Sequence, residues 1–284
     1  MTSHSPSRHD AARDPKDSGA DEVTALARGL TVLRAIAAAE TPLGNRELTE
    51  LTGIPKATLS RLTGTLVSTG FLARLPDSER FVLTSSVLEL SSGFLRNADL
   101  RERARPFLTR LAERTALSVH LAVRDRLDMV VIDAIRPRSA VLVSRLEVGS
   151  RIDMSRTAMG RAYMVALDTA SRAELTAALQ AAAGNDWGFV GSRLDAALAE
   201  TAAQGYGIAI GEWHEGLNAI AGAFAGPNGE LYGINCGGAA QQCPRDWLVG
   251  HAVPLLRECV ERIAEEIGGT PRLPACVRPA PHSR

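Results

Sequence analysis

Apolar positions recur at helical spacing through residues 23–39, where Leu26, Leu30, Leu33 and Ile36 or Ala37 fall on one side. The pattern predicts a first helix with a buried face, and Thr24 stands where it can cap the start. A second helix is predicted over 46–52, with Leu48 and Leu51 inward and Glu47 and Glu50 between them. Gly44 or Asn45 caps it, and the early acid suits the positive end of a helix. Gly53 follows the last apolar residue, where a left-handed turn ends a helix, and Pro55 fits the first turn of the next. From Lys56 onward, Leu59, Leu62 and Leu66 predict a buried stripe. The opposite face carries Lys56, Thr58, Ser60, Arg61 and Thr65, and Gly70 stops the helix. Residues 71–75 and 80–84 read as two strands around the turn Pro76-Asp77-Ser78-Glu79. Helix, tight turn, helix and two-stranded wing make a winged helix-turn-helix, which places its second helix in the major groove of DNA.

Downstream, residues 85–97 predict another helix. Its Val87, Leu88, Leu90, Phe94 and Leu95 are more apolar than a linker requires. It packs either on its own domain or on the same helix of a second subunit. An amphipathic helix over 100–115 contains Pro106, a kink or a late start. Strands are predicted at 119–123, 129–135, 141–146, 206–210, 219–224 and 231–236, with a Pro227-Asn228-Gly229 turn between the last two. Helices are predicted at 157–167, 193–204 and 247–267. Strands with helices at one face indicate an α+β fold for this second part, a sheet sensor domain. The expected organisation is a disordered tail at 1–22, a DNA-binding domain at 23–84 and a linker helix at 85–98. A larger domain at 99–268 and a Pro-rich tail at 269–284 follow.

Charge sharpens the first domain. The 284 residues carry a net charge of zero, so any attraction to DNA must be local. Residues 51–76 contain no Asp or Glu but include Lys56, Arg61 and Arg74. That suits a surface that approaches phosphates and releases their counterions. The chain has only two lysines, Lys16 and Lys56. Either an arginine-biased composition left Lys56 by chance, or Lys56 meets a phosphate or guanine at the start of the recognition helix. Helix-turn-helix triplets also occur in protein-interaction modules, and the wing and the acid-free helix favour DNA.

Other chemistries find little support. Cys236, Cys243, Cys259 and Cys276 lack the close paired spacing of a zinc ribbon and read as reduced cytosolic thiols. Cys236, Cys243 and His251 as a metal set is the weaker alternative to simple packing. The start of the chain is polar, unlike a signal peptide, and no apolar run approaches a membrane span. The glycines of Gly205-Tyr206-Gly207 miss the dinucleotide spacing, so a turn and close packing explain them better. His214-Glu215 lacks the second histidine of a zinc-protease helix, and no Gly-x-Ser-x-Gly elbow is present. No enzyme, cofactor or metal site is therefore expected.

Longer stretches resemble the IclR family of bacterial transcription regulators. In the first domain these are ALARGLTVLRAIA at 25–37, LTELTGIPKATLSRLTGTLVSTGFL at 48–72 and VLTSSVLELSSGFL at 82–95. In the second they are LEVGSRIDMSRTAMGRAYMVAL at 146–167, AAQGYGIAIGEWHEGLNAIAGAF at 202–224 and PNGELYGINCGGA at 227–239. The resemblance implies a GAF-like α/β effector-binding domain, a palindromic DNA operator, a homodimer or dimer of dimers, and a cytoplasmic regulator of a catabolic operon. Repression is the implied sign more than activation. After Gly53-Ile54-Pro55, it places Lys56, Ala57, Thr58, Ser60 and Arg61 against DNA, with Arg74 and Arg80 from the wing. It places Thr157, Ala158, Met159 and Gly160 at a helix start that holds an anionic effector. Ala209, Trp213, Leu217, Ala219, Asn235 and Gly237 complete the expected effector site. Met159 is expected to narrow that pocket or make it more apolar, and Trp213 either lines it or fills core. Ala209 and Ile210 replace acids common in the family. The implied effector is accordingly a larger, partly apolar acid, such as an aromatic one, rather than a two- or three-carbon acid.

Overall fold

The computed structural model describes residues 23–96, 99–137 and 146–272. The tail expected at 1–22, residues 273–284 of the tail expected at 269–284, and most of the strand expected at 141–146 lie outside these residues; the start of the second tail is instead a strand, Thr270–Pro271, paired with Ala225 and Phe224. The chain divides into two compact units, residues 1–94 and 95–284.

The first unit runs α1 (Thr24–Ala38), β1 (Leu43–Gly44), α2 (Asn45–Thr52), α3 (Lys56–Ser68), β2 (Leu72–Arg74), β3 (Arg80–Leu83) and into α4 (Ser86–Arg96). Gly53 at φ 67° ends α2, so a side chain there would be strained. The Glu47 carboxylate accepts from Gly44 N at 3.0 Å and closes the α2 N-terminus. Val32, Ile36, Leu43, Leu48, Ile54, Leu59, Leu72 and Phe81 form one core.

Two helix faces differ from expectation. In α1 the buried residues are Gly29, Val32 and Ile36, while Leu26 and Leu30 are 63% and 45% exposed. The small Gly29 turns that side toward α3, where a Cβ on it would touch Leu62. Val23 occupies the N-cap position and Thr24 is the first helical residue. In α3, Leu59 is fully buried, Leu62 and Leu66 are half-buried, and Thr63 takes the other inward position. The wing also gains a strand, because β1 pairs with β3 through Leu43 opposite Phe81. Two residues carry no periodicity from which to foresee it.

The second unit continues α5 (Asp99–Thr115), β4 (Ser118–Asp125), β5 (Asp128–Ile135), β6 (Arg151–Asp153), α6 (Ala158–Ala166), α7 (Thr169–Ala183) and α8 (Trp187–Gln204). Then come β7 (Gly207–Ile210), β8 (Leu217–Ala225), β9 (Leu231–Ala239) and α9 (Arg245–Trp247). One π turn over Leu248–Ala252 leads into α10 (Val253–Ile267), and β10 (Thr270–Pro271) follows. The sheet order is β10-β8-β9-β4-β5-β6, with β7 also on β8, and every pair is antiparallel.

Helices cover both faces of this sheet, not one. On the first face α5 and α10 pack on Val119, Leu121, Ile220, Phe224, Ile234 and Cys236. On the second, α6, α7 and α8 pack against Ala122, Val131, Ala219, Ala221 and Ala223. The strands alternate large and small: β8 sends Ile220 and Phe224 one way and Ala219, Ala221 and Ala223 the other. Small side chains on the second face leave room above the sheet, and that is where the cavity lies.

Candidate functional site

The first unit presents α3 as a cationic surface. Lys56, Ala57, Ser60 and Arg61 are exposed, and Thr58 is half-buried. Among the described residues, neither the Lys56 ammonium nor the Arg61 guanidinium has a hydrogen-bond or ion-pair partner. The wing arginines are engaged. Arg74 pairs with Glu79 across the turn. Arg80 reaches Glu47 at 2.6 Å and the Pro42 carbonyl at 2.5 Å. Glu47 is thus held below the ordinary 4.5, first by its own backbone, then against slight desolvation by Gly44 N–H and the Arg80 charge. Arg80 ties wing to α2 through the same carboxylate that closes the helix.

In the second unit a cavity opens over β4, β8 and β9. Register explains its floor. Ser118 lies opposite Gly237, and His120 opposite Asn235. Gly237 in turn lies opposite Ala219. All share the small-residue face. Thr157 and Ala158 from the α6 start, Ala209 from β7, and Leu146, Ile152, Trp213, Leu217 and Gly238 complete the lining. The empty space, counting the open mouth and the solvent in it, is about 610 Å³.

Eight expected effector residues meet there: Thr157, Ala158, Ala209, Trp213, Leu217, Ala219, Asn235 and Gly237. Met159 and Gly160 do not line it. Met159 is fully buried on the other side of α6, where a Cβ on Gly233 would strike its Cγ. It fills core and leaves the cavity width alone. Gly160 is a packing position: a Cβ there would overlap the Met154 backbone, so α6 sits this close only with glycine. Trp213 both lines the cavity and packs on the second-face core.

Ser118, His120, Leu146, Ile152 and Gly238 line the cavity without having been expected there. The alternation of Ser118 and His120 about apolar Val119 is the sequence signal that points to the first two. His120 is 5% exposed. Its Nδ1 meets Asn235 Oδ1 at 2.8 Å, and its Nε2 has no partner among the described residues. Burial pushes its pKa down to about 4; the Asn235 bond opposes this and the Arg136 charge adds to it. The imidazole is therefore neutral, and no charged side chain lines the cavity among the described residues. The positive contribution comes from the α6 start. There the Thr157 hydroxyl accepts from Gly160 N at 3.2 Å and donates to the Asp153 carbonyl at 2.5 Å. First-turn N–H groups beside it lack intrahelical acceptors.

The loop that carries Trp213 is anchored from below. Arg161, 3% exposed, donates to both Glu212 oxygens, at 2.8 and 2.5 Å, and to the Ile208 carbonyl. Burial alone would push the Glu212 carboxyl up, but Arg161 and the Arg193 charge hold it below its ordinary 4.5. This acid serves structure and does not line the cavity. Burial pushes the Cys236 and Cys259 thiols up to about 12 and raises Cys243, so these are packed thiols. Among the described residues no cluster of three or more His, Cys, Asp or Glu is placed to hold a metal, and no helix is long and apolar enough to cross a membrane.

Comparison with known proteins gives this geometry its context. Residues 25–76 match the IclR helix-turn-helix domain, and residues 92–265 match the bacterial transcriptional regulator IclR C-terminal family. The chain is 32% identical over 254 residues to the HTH-type transcriptional regulator TsaQ1/TsaQ2 of Comamonas testosteroni, covering 89% of this chain and 91% of that one. It is 26% identical over 148 residues to the transcriptional repressor IclR of Escherichia coli, covering 51% and 54%. The crystal structure of an IclR family transcriptional regulator from Brucella abortus is 33% identical, with a TM-score of 0.76 and coverage of 91% and 96%. These relatives are regulators, not enzymes. The chain belongs to the IclR family of transcriptional regulators, with a helix-turn-helix DNA-binding domain and a C-terminal ligand-binding domain.

Proposed function

We propose that this regulator is a cytoplasmic repressor of a catabolic operon. It binds a palindromic operator through α3 as a homodimer or dimer of dimers, and an aromatic or similarly large acid in the cavity changes its affinity. The observation that carries the reading is the pair of unpartnered cations, Lys56 and Arg61, on an exposed helix without acids. Lys56 and Arg61 then meet phosphates or base edges, with Ala57, Thr58 and Ser60 between them. Arg74 and Arg80 hold the wing in shape first and touch DNA second, because each already pairs with an acid.

Self-association is supported by exposed apolar side chains. Leu88 and Leu90 on α4 are 60% and 66% exposed, and Leu26 and Leu30 on α1 are also open. Covering them with the same surface of a second copy gives two wings for two half-sites. Effector binding then favours one spacing of the wings, and operator affinity changes by the differential affinity of the two states.

The effector class follows from the lining. Leu146, Ile152, Trp213 and Leu217 give apolar walls, and the α6 start gives one place for a carboxylate. A two- or three-carbon acid leaves those walls uncovered. The primary test is sequencing of genomic fragments captured by the purified full-length protein at near-physiological salt. A few sharply enriched palindromes are expected, and enrichment no better than bulk DNA overturns the operator reading. Release of such a fragment by glyoxylate or pyruvate, with no effect of aromatic acids, overturns the effector class.

A further inference from the structure

His120 forms part of the cavity floor, on β4, with Asn235 beside it on β9. The contact between them fixes the ring chemistry. An amide oxygen only accepts, so the proton of the neutral imidazole must lie on Nδ1, which donates to Asn235 Oδ1. Nε2 then carries a lone pair. That atom is buried and has no partner among the described residues. An unmatched buried acceptor is costly, and native proteins keep one where something else supplies the missing bond. The remaining polar side chains of the lining are Ser118, Thr157 and the Trp213 indole, and the Thr157 hydroxyl already donates to the Asp153 carbonyl.

We infer that His120 Nε2 is the specificity-determining atom of the cavity, accepting a hydrogen bond from a hydroxyl group on the effector. Asn235 acts as a positioning residue that selects the ring tautomer. The inference rests on the cavity being the effector site and adds what that site reads. The ligand class is an acid whose apolar body carries a hydroxyl that reaches the sheet, while its carboxylate takes the α6 start. A methyl group at the same place fits the space but leaves Nε2 unsatisfied, so the site rejects the isostere that lacks the donor.

The test uses full-length protein with ¹⁵N-labelled histidine and two matched pairs of probes: phenol against toluene, and 4-hydroxybenzoate against 4-methylbenzoate. The His120 resonances are those missing from the His120→Gln spectrum. Without ligand, Nδ1 should be protonated and Nε2 bare. Hydroxyl probes should move the Nε2 resonance and bind about tenfold more tightly than their methyl partners, the scale of one net hydrogen bond. His120→Leu should abolish the preference, and His120→Gln, which keeps an acceptor near the Nε2 position, should retain part of it. An Nε2-protonated ring overturns the inference even if neither variant folds. So does equal affinity within both pairs, a preference that survives in His120→Leu, or no binding of any hydroxyl probe.

Operator release measured in parallel separates this inference from the function above. Binding of 4-hydroxybenzoate through His120 without any effect on operator affinity supports the hydroxyl reading and removes the coupling of cavity to DNA. Release by a metabolite that leaves the His120 resonances unmoved does the reverse.

Discussion

A histidine buried neutral in the folded chain makes stability depend on acidity. His120 has a folded value of about 4 against an ordinary 6.5. The unfolded chain therefore takes up this proton first as pH falls. The stability linked to His120 is fully present above 6.5 and is lost progressively as pH falls toward about 4. The shift corresponds to about 3 kcal/mol across that window. Carboxylates begin to titrate at its lower end, so the useful quantity is a difference. Urea unfolding of wild type and His120→Gln from neutral to mildly acid pH should show the wild-type curve falling more steeply. Parallel curves would mean that His120 is solvated or charged in the native protein. The same burial explains why this residue is hard to find from sequence. Alternation about Val119 puts Ser118 and His120 on one face of the strand, but which face meets the cavity is set by the partner strand, where Asn235 lies 115 residues away.

Elements differ in how much of them the sequence discloses. The turn at Gly53, the Thr157 start of α6 and the helical spacing of α3 are local properties, and each stands where the pattern puts it. The helix α7 and the strand β6 lie outside the expected elements. α7 is mostly exposed and alanine-rich, with Leu175 and Leu179 its only buried residues, so its apolar stripe is thin. β6 has three residues and one buried side chain, Ile152. The orientation of a helix about its axis depends on its neighbours, which is why α1 buries Gly29 in place of Leu26. Within α3 the consequence is measurable. Leu59→Ala should cost about 2–5 kcal/mol, as for a fully buried leucine. Leu62→Ala should cost less, because Leu62 is half-buried. A larger loss for Leu62 in chemical denaturation would mean that Leu62, not Leu59, carries the packing. In the second unit, Glu212→Gln should leave the Arg161 guanidinium buried without its counter-charge. Loss of such a pair costs about 3–5 kcal/mol, with the low end expected because Glu212 keeps some solvent contact. Because Glu212 precedes Trp213, the tryptophan emission should shift as well. Unchanged melting and emission would show that the Ile208 carbonyl alone anchors Arg161.

For the whole molecule, binding to DNA and response to effector are separable quantities. Lys56→Ala and Arg61→Ala remove cations that have no partner among the described residues, so melting should not change. If either side chain meets a phosphate, operator affinity should drop for every sequence, and the slope of affinity against salt should fall by about one per phosphate met. If it meets a base, the loss should be about 1–3 kcal/mol and confined to one operator position. Arg80→Ala should behave differently, lowering the melting temperature along with affinity, because Arg80 joins the wing to α2. The response to effector is a ratio of affinities in two states. An interaction with DNA that is weakened equally in both states cancels from that ratio. Lys56→Ala should therefore bind the operator more weakly but show the same fold-change when effector is added. His120→Leu should show the opposite: operator affinity without effector close to wild type, and a reduced fold-change. Fluorescence anisotropy on one labelled operator, titrated with and without effector at two salt concentrations, measures both quantities in each variant. If Lys56→Ala altered the fold-change as much as the affinity, the effector would act by changing how Lys56 itself meets DNA, and a shift in the spacing of two otherwise unchanged wings would no longer describe the regulation.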